Sequence, residues 1–93
     1  MIHIFGAAHR DSGLAMERGP AKHQGIHPSY QFLYVVHGTA EVRTDEHSLQ
    51  LHKDECVIIE PNQSVLLSLA SADSLVARYY FSDDLLAETF QQL

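Results

Sequence analysis

The chain has 93 residues, 45% of them hydrophobic, with 12 acidic and 6 basic side chains and a formal net charge of −6. This length fits one small domain whose folding buries only about 60 to 65% of the extended chain's surface, so burial against a partner or a second copy would add to a modest core. The acidic balance and the scattered basic residues argue against direct binding of nucleic acid, because phosphate recognition needs a basic face.

The single cysteine and the hydrophobic pattern predict where in the cell the protein is located. Cys56 is the only cysteine, which excludes an internal disulfide and fits a reducing compartment. It falls in an apolar run, which predicts an ordinary strand position for it. No stretch approaches the ~20 apolar residues of a membrane span, and the N-terminus lacks a basic segment before a long apolar one. We therefore expect a cytoplasmic protein with no membrane contact.

The first third of the chain predicts short strands and a loop. Ile2 to Phe5 predicts a short strand, and Leu14 to Met16 a second one. Gly19-Pro20 and Gly25 are typical of a loop that leads towards the next strand, with His23 and His27 four residues apart.

The segment Tyr30 to Val36 is the longest run of aromatic and β-branched residues, bounded by Pro28 and Gly38. Such a run predicts a central strand, with both faces covered by protein. Alternation places Gln31, Leu33 and Val35 on one face. The opposite face is then aromatic and apolar, formed by Tyr30, Phe32, Tyr34 and Val36.

The rest of the chain up to residue 81 continues as short strands separated by turns. Thr39 to Thr44 and His47 to His52 predict a hairpin that turns at Asp45-Glu46. Three further strands are predicted over Cys56 to Ile59, Val65 to Leu69 and Leu75 to Phe81. About eight short strands at this spacing predict an all-β fold, an antiparallel barrel or sandwich.

The last twelve residues predict the only helix, which makes residues 1–93 a single domain with a barrel over 1–81 and a helix over 82–93. Ser82 can cap this helix, and its apolar stripe contains Leu85, Leu86, Thr89, Phe90 and Leu93. A helix this short is marginal alone in water, so it must bury one face. Leu85 can dock on the aromatic face of the central strand, which leaves Leu86, Phe90 and Leu93 for a homodimer contact; the alternative is that the whole stripe folds back on its own barrel.

Two motifs in these strands resemble those of the cupins, in particular the N-terminal sensor and dimerisation domain of AraC-type transcriptional regulators. The first cupin motif spaces a glycine, two histidines, a glutamate and a glycine at positions that here hold Gly19, Gly25, His27, Gln31 and Gly38. The second motif's positions hold Asp54, Glu60, Asn62, Val65 and Leu69, and Asn62 tolerates the positive φ of the glycine it replaces. The resemblance covers Gly19 to about Phe81 and implies a small antiparallel cupin (jelly-roll) barrel.

The residues at the cupin metal positions depart from the family's ligand set of three histidines and a glutamate. Gly25, Gln31 and Val65 offer neither imidazole nor charge, and only His27 remains. Because a divalent ion needs roughly three protein ligands, we expect no bound metal and no cofactor, which elemental analysis of the purified chain checks. His23 could face the same side as His27, but our expectation for it is an exposed loop position.

The inward face of the predicted barrel combines a polar pair with apolar walls, as small-molecule sites generally do. Gln31 is either a ligand contact or a satisfied core amide, and the interior is either open or filled. The predicted ligand-binding residues are His27, Gln31, Leu33, Val65 and Leu67.

Two classes of function remain. In the first, the chain is the ligand-sensing and dimerisation domain of a bacterial AraC-type regulator, which responds to a small molecule or a protein, while a separate helix-turn-helix domain beyond Leu93 binds DNA. In the second, it is a stand-alone small cupin enzyme of isomerase or dioxygenase type, or a metal-free cupin that binds a small molecule. The replaced metal ligands weigh against an enzyme, so we expect no catalytic residues. AraC-type regulators commonly dimerise through helices after the barrel, which agrees with the predicted homodimer.

Overall fold

A computed structural model of the chain describes residues 13–81, and these residues form eight β-strands. The strands predicted over 30–36, 56–59, 65–69 and 75–81 are confirmed, as is the hairpin over 39–52. The strand predicted over residues 2–5 and the helix predicted over 82–93 lie outside the described residues. In chain order the strands are β1 (Gly13–Arg18), β2 (Ala21–Ile26), β3 (Tyr30–His37), β4 (Thr39–Arg43), β5 (Ser48–His52), β6 (Cys56–Ile59), β7 (Ser64–Leu69) and β8 (Leu75–Phe81).

The strands form two four-stranded antiparallel sheets, with the order β1-β8-β3-β6 in the first sheet and β2-β7-β4-β5 in the second. Only the β4–β5 hairpin joins neighbours within one sheet, and each other connection between described strands crosses to the opposite sheet. This arrangement is a jelly roll, which confirms the predicted antiparallel all-β barrel. β3 lies inside its sheet, between β8 and β6, as its composition predicts.

The core lies between the two sheets and is built by period-2 alternation. In β3 and β7 every second residue is buried, so that the inward positions of β3 are Gln31, Leu33 and Val35. Burying one such aliphatic side chain stabilises the fold by roughly 1.5 to 3 kcal/mol. The buried apolar residues are Leu33, Val35, Ala40, Val42, Leu51, Ile59, Val65, Leu67, Leu69 and Val76.

The outer face of the first sheet is only partly covered by the described residues. One row of neighbours crosses all four strands, through Leu14, Tyr79, Phe32 and Ile58. Leu14 and Ile58 are 70% and 56% exposed, and Phe32 is half-buried. The expectation that both faces of β3 are covered therefore holds for its inner face, and the described residues leave its outer face half-open. Cys56, which we expected in apolar surroundings, is exposed on this sheet.

The prediction of a loop from Gly19 to Gly25 is wrong, because residues 21–26 form the edge strand β2. β2 pairs antiparallel with β7 along its whole length, from Ala21 opposite Leu69 to Ile26 opposite Ser64. Its sequence is mostly polar and contains Gly25, so local propensity does not favour a strand. Hydrogen bonds to the backbone of β7 hold residues 21–26 in an extended conformation. An edge strand needs only one hydrogen-bonded neighbour and can expose polar side chains.

Three positions where the cupin motifs have glycine keep a left-handed backbone here. Gly38, Asp54 and Asn62 have φ values of 72°, 70° and 65°. Asn62 therefore adopts the conformation expected of it, and Asp54 adopts the same one in the β5–β6 turn. At Gly38 a side chain would also crowd Ser74, since an added Cβ would lie 3.0 Å from the Ser74 Cα.

Candidate functional site

A cavity of about 460 Å³ opens between the two sheets where β2 and β7 face β3 and β8. Its volume lies within the range of about 300 to 1,000 Å³ that is usual for small-molecule sites. We call it the main cavity. It is lined by Lys22, His23, Gln24, Gly25, Ile26, His27, Gln31, Leu33, Val65, Leu67, Arg78 and Tyr80.

The structure brings all five predicted ligand-binding residues to this one cavity. Leu33, Val65 and Leu67 are 0%, 5% and 2% exposed and form an apolar floor that is also part of the barrel core. His27 follows β2, and Gln31 is the second residue of β3, so the two polar groups come from adjacent parts of the chain. The interior of the barrel is thus packed in one part and open in another.

Local contacts fix the orientation of His27. Its Nδ1 accepts a hydrogen bond from the Ser29 backbone N–H at 3.1 Å, which makes Nε2 the protonated nitrogen in the neutral ring. Its ring stacks on Tyr80, with centroids 4.1 Å apart and planes inclined by 23°. His27 therefore offers an N–H donor on a ring that two neighbours hold in place.

Arg78 joins the floor of the main cavity to a charged group at the β1–β2 side. Its Nη1 donates a hydrogen bond to the Tyr80 hydroxyl at 2.7 Å, and its guanidinium lies 5.8 Å from the Tyr80 ring centroid. Its Nη2 is 4.0 Å from Glu17 Oε1, and Glu17 Oε2 is 2.9 Å from His23 Nε2. Glu17 is on β1 and His23 on β2, so this carboxylate links the edges of the two sheets.

One buried polar atom in this region lacks a partner. The Nε of Arg78 has no hydrogen-bond partner among the described residues. A buried polar group without a partner costs about 1 to 3 kcal/mol, more when charged, so such groups are uncommon unless a ligand or solvent serves them. Gln31 is 5% exposed and lines the main cavity, and its side-chain amide forms no hydrogen bond with the described residues. This amide is therefore available to a ligand or to solvent in the cavity.

The cupin metal positions converge on the main cavity, but their side chains do not form a metal site. Gly25, His27, Gln31 and Val65 all line it, and Gly25 pairs directly with Val65. Within residues 13–81 no group of three His, Cys, Asp or Glu side chains is placed to hold an ion. A single imidazole beside an amide and an aliphatic side chain does not fit a divalent metal, and the absence of bound metal stays a prediction.

A smaller cleft of about 270 Å³ lies at the opposite edge of the barrel, between β4–β5 and β6. We call it the second cleft. Its polar lining includes Glu46, His47, Glu60 and Gln63, and no lysine or arginine.

Sequence reasoning missed Glu17, Arg78 and Tyr80 as parts of the site. Period-2 alternation along β8, with Val76 buried inward, was the available signal for Arg78 and Tyr80, which lie two and four residues further on. His23 was expected in an exposed loop, and it instead lies half-buried in β2 and lines the main cavity. Its four-residue separation from His27 was a signal for this position only if residues 21–26 were extended.

The family model for the AraC-like ligand binding domain matches residues 13–92. The match spans most of the chain and includes every strand described above. This chain therefore belongs to the AraC-like ligand-binding domain family, as the motif resemblance indicates. No curated protein sequence matches the chain significantly.

Solved structures of low sequence identity share this fold, among them a cupin-2 domain protein. The plu4264 protein of Photorhabdus luminescens superposes with a TM-score of 0.65 at 14% identity, over 87% of this chain and 69% of that one. A cupin-2 domain protein from Shewanella frigidimarina gives a TM-score of 0.66 at 11% identity, over 76% of this chain and 71% of that one. The Clostridium difficile EutQ protein gives 0.59 at 15% identity, with 77% of this chain covering 56% of that one. These likenesses establish the cupin fold.

The described residues contain no helix that is long and apolar enough to cross a membrane.

Proposed function

We propose that this chain is the ligand-sensing and dimerisation domain of a bacterial AraC-type transcription regulator, with a small-molecule effector in the main cavity. The observation that carries the proposal is the cavity itself. It occupies the part of the barrel where cupin metal ligands would meet, yet it presents His27, Gln31 and an apolar floor in their place. Membership of the AraC-like ligand-binding family supports the same role.

The residue types at the site support binding without catalysis. Isomerase and dioxygenase chemistry in cupins relies on a metal as Lewis acid or oxygen activator, and three of the four ligand positions hold Gly25, Gln31 and Val65. The lining of the cavity contains no serine, threonine or cysteine for a Ser-His or Cys-His type of nucleophilic catalysis. We therefore propose that the chain is not an enzyme.

DNA contact and cellular location complete the proposal. A net charge of −6 does not suit a DNA-binding surface, so a separate helix-turn-helix domain encoded beyond Leu93 would bind DNA in the cytoplasm. The coding sequence after Leu93 tests this directly. About a hundred further residues with two helix-turn-helix patterns are expected, and a stop codon there would contradict the regulator.

Effector binding is tested by thermal shift with a library of sugars, amino acids and metabolites. We expect at least one compound to raise the melting temperature of the chain, and the double variant His27→Ala, Gln31→Ala to lose the effect. The matched control is His47→Ala, Gln63→Ala, which removes the same residue types from the second cleft and should leave the shift intact. A shift that survives the first double variant would place the ligand elsewhere.

Dimerisation is proposed from the sequence of residues 82–93, which lie outside the described residues. Three large apolar side chains, Leu86, Phe90 and Leu93, remain for a twofold contact if Leu85 docks on its own barrel, and each is worth roughly 1.5 to 3 kcal/mol before association costs. Sedimentation at micromolar concentration should show a dimer that Phe90→Asp converts to folded monomer. Gln91→Asp, a polar change at the next residue, is the control and should remain dimeric. A wild-type chain that is already monomeric would favour intramolecular docking.

A further inference from the structure

The main cavity has one inward side chain that is permanently charged, and it is positive. Arg78 lies on β8 with Val76 and Tyr80, whereas Lys22 is exposed and pairs with Ser68 on the outer face of β2, and no carboxylate lines the cavity. This asymmetry is unexpected in a chain with twice as many acidic as basic residues. The nearest carboxylate described above is Glu17, which is committed to His23 at 2.9 Å and stands 4.0 Å from Arg78 Nη2.

The guanidinium of Arg78 retains donors that the described residues do not satisfy. It has five N–H groups, of which one donates to the Tyr80 hydroxyl, and its buried Nε has no acceptor. Glu17 is too far for a hydrogen bond and acts only as a partial counter-charge. Arginine pairs best with planar anions that accept two N–H bonds, above all carboxylates.

Three neutral donors stand on the same cavity wall. The neutral His27 ring carries its proton on Nε2, since Nδ1 is occupied by the Ser29 N–H. The Gln31 amide has no partner among the described residues, and the Tyr80 hydroxyl already accepts from Arg78 and can donate its own proton. The apolar floor adjoins these groups, with Leu33 beside Arg78 in the same sheet and Val65 and Leu67 on the facing sheet.

We infer that the effector is an organic monocarboxylate, whose carboxylate faces Arg78 and whose apolar body lies on the floor of the main cavity. This inference rests on the proposed function and names the chemical class of its ligand. A singly charged acid fits better than a dianion, because Glu17 offsets part of the Arg78 charge and Lys22 is exposed. A sugar fits less well, because the floor offers it no hydrogen bonds.

The test uses isosteric pairs that differ in charge, namely hexanoate with hexanamide and benzoate with benzamide. Binding to the 93-residue chain is followed by NMR, through the Gln31 side-chain amide and the backbone amides of β2. We expect the dissociation constants of the acids, measured from these shifts, to be at least about tenfold lower than those of their amides. A charge-assisted hydrogen bond predicts a difference of this size.

Four variants assign the effect to the cavity charges. Arg78→Gln should weaken carboxylate binding about tenfold or more, and Arg78→Lys should recover part of it. Because Lys22 is exposed, Lys22→Gln should leave the fold intact, and it should weaken carboxylate binding by about two- to fivefold. Arg43→Gln removes an exposed arginine paired with Glu41 at 3.3 Å on β4, and should change nothing.

Glu17→Gln should change carboxylate affinity in the opposite direction from Arg78→Gln. Removal of its counter-charge should strengthen carboxylate binding several-fold while leaving the amides unaffected. A structural role for Arg78 alone would not produce this gain.

The possible outcomes test the carboxylate inference separately from the proposed ligand-binding function. Amides that bind as tightly as the acids, or acid binding unchanged in Arg78→Gln and Lys22→Gln, would overturn the carboxylate and leave the main cavity as a ligand site. Absence of any shift with all four compounds, together with no thermal shift from the metabolite library, would overturn both. A neutral library compound that binds the cavity while the acids do not would overturn the inference alone.

Discussion

The main cavity and the second cleft lie at opposite edges of one barrel and differ in charge. Both have buried apolar residues in their lining, such as Leu67 in the first and Ile59 in the second, and each also includes an exposed one, Ile26 and Leu49. Their charged residues differ, with Lys22 and Arg78 in the first and Glu46 and Glu60 in the second. A jelly roll has two open edges between its sheets, and in the described residues only one of them contains a buried polar atom without a partner.

The difference shows which features separate a binding cavity from a surface depression. The main cavity contains a buried polar atom without a partner among the described residues, Arg78 Nε, and this carries a cost to stability. A buried polar residue elsewhere in the barrel is fully used, since Ser74 Oγ donates to the Thr39 carbonyl at 2.8 Å and its own carbonyl accepts from Gly19 N–H at 3.0 Å. Unused buried polar groups beside a cavity are the expected mark of a functional site.

The largest effect on stability is expected from Leu67→Ala in the floor of the main cavity. Leu67 is 2% exposed, so truncation should lower the free energy of unfolding by about 2 to 5 kcal/mol. Leu49→Ala, the same change in the second cleft, should cost less than about 1 kcal/mol because the side chain is already exposed. Urea denaturation of both variants measures the contrast, and equal losses would erase the distinction between the two edges.

An intermediate effect of opposite sign is expected for two buried polar residues. Gln31→Leu should leave stability unchanged or raise it by up to about 1 kcal/mol, because it removes an amide that has no partner among the described residues. Ser74→Ala should lower stability by about 1 to 3 kcal/mol, since it leaves the Thr39 carbonyl without its donor. Thermal and urea unfolding compare the two. A clear loss of stability in Gln31→Leu would make Gln31 a structural residue.

The smallest effect is expected away from both cavities, in the β5–β6 turn. The His52 backbone N–H, 2.7 Å from Glu55 Oε1, and then the His52 ring lower the pKa of Glu55 below its ordinary value of 4.5. Because the pKa is lowered in the folded state, the contribution of Glu55 is fully present above about pH 4.5 and is lost as the pH falls through the folded pKa. Glu55→Gln should slightly lower stability at neutral pH and converge with the wild type at low pH, which flattens the acid limb of the stability-against-pH profile. A variant curve parallel to that of the wild type at acid pH would contradict it.

The sequence predicts the strands that contain apolar or β-branched residues and misses β2, which is mostly polar. β3, β6, β7 and β8 contain apolar or β-branched runs, so their bounds follow from local composition. β2 has no such run, because as an edge strand it exposes polar side chains and depends on β7 for its pairing. Non-local pairing of this kind leaves no mark within a window of six residues.

The same reasoning explains how much of the candidate site could be predicted. His27, Gln31, Leu33, Val65 and Leu67 were found because motif spacing and alternation place them on an inward face. Arg78 and Tyr80 follow the buried Val76 at a spacing of two along β8, so the same alternation could have found them. Glu17 and His23 could not be found in this way, because Glu17 on β1 meets His23 on β2 only where the edges of the two sheets come together, and no spacing rule predicts that contact.

The position of β2 has a consequence for hydrogen exchange. β2 has a single hydrogen-bonded neighbour, β7, whereas β8 on the facing sheet has two. Its amides should therefore exchange among the fastest of the eight strands in the free chain, by local opening that leaves the rest of the barrel intact. A ligand held between β2 and Arg78 on β8 would have to be released before β2 could open. Occupancy should thus slow exchange in β2 far more than in β5, the edge strand on the other side of the same sheet.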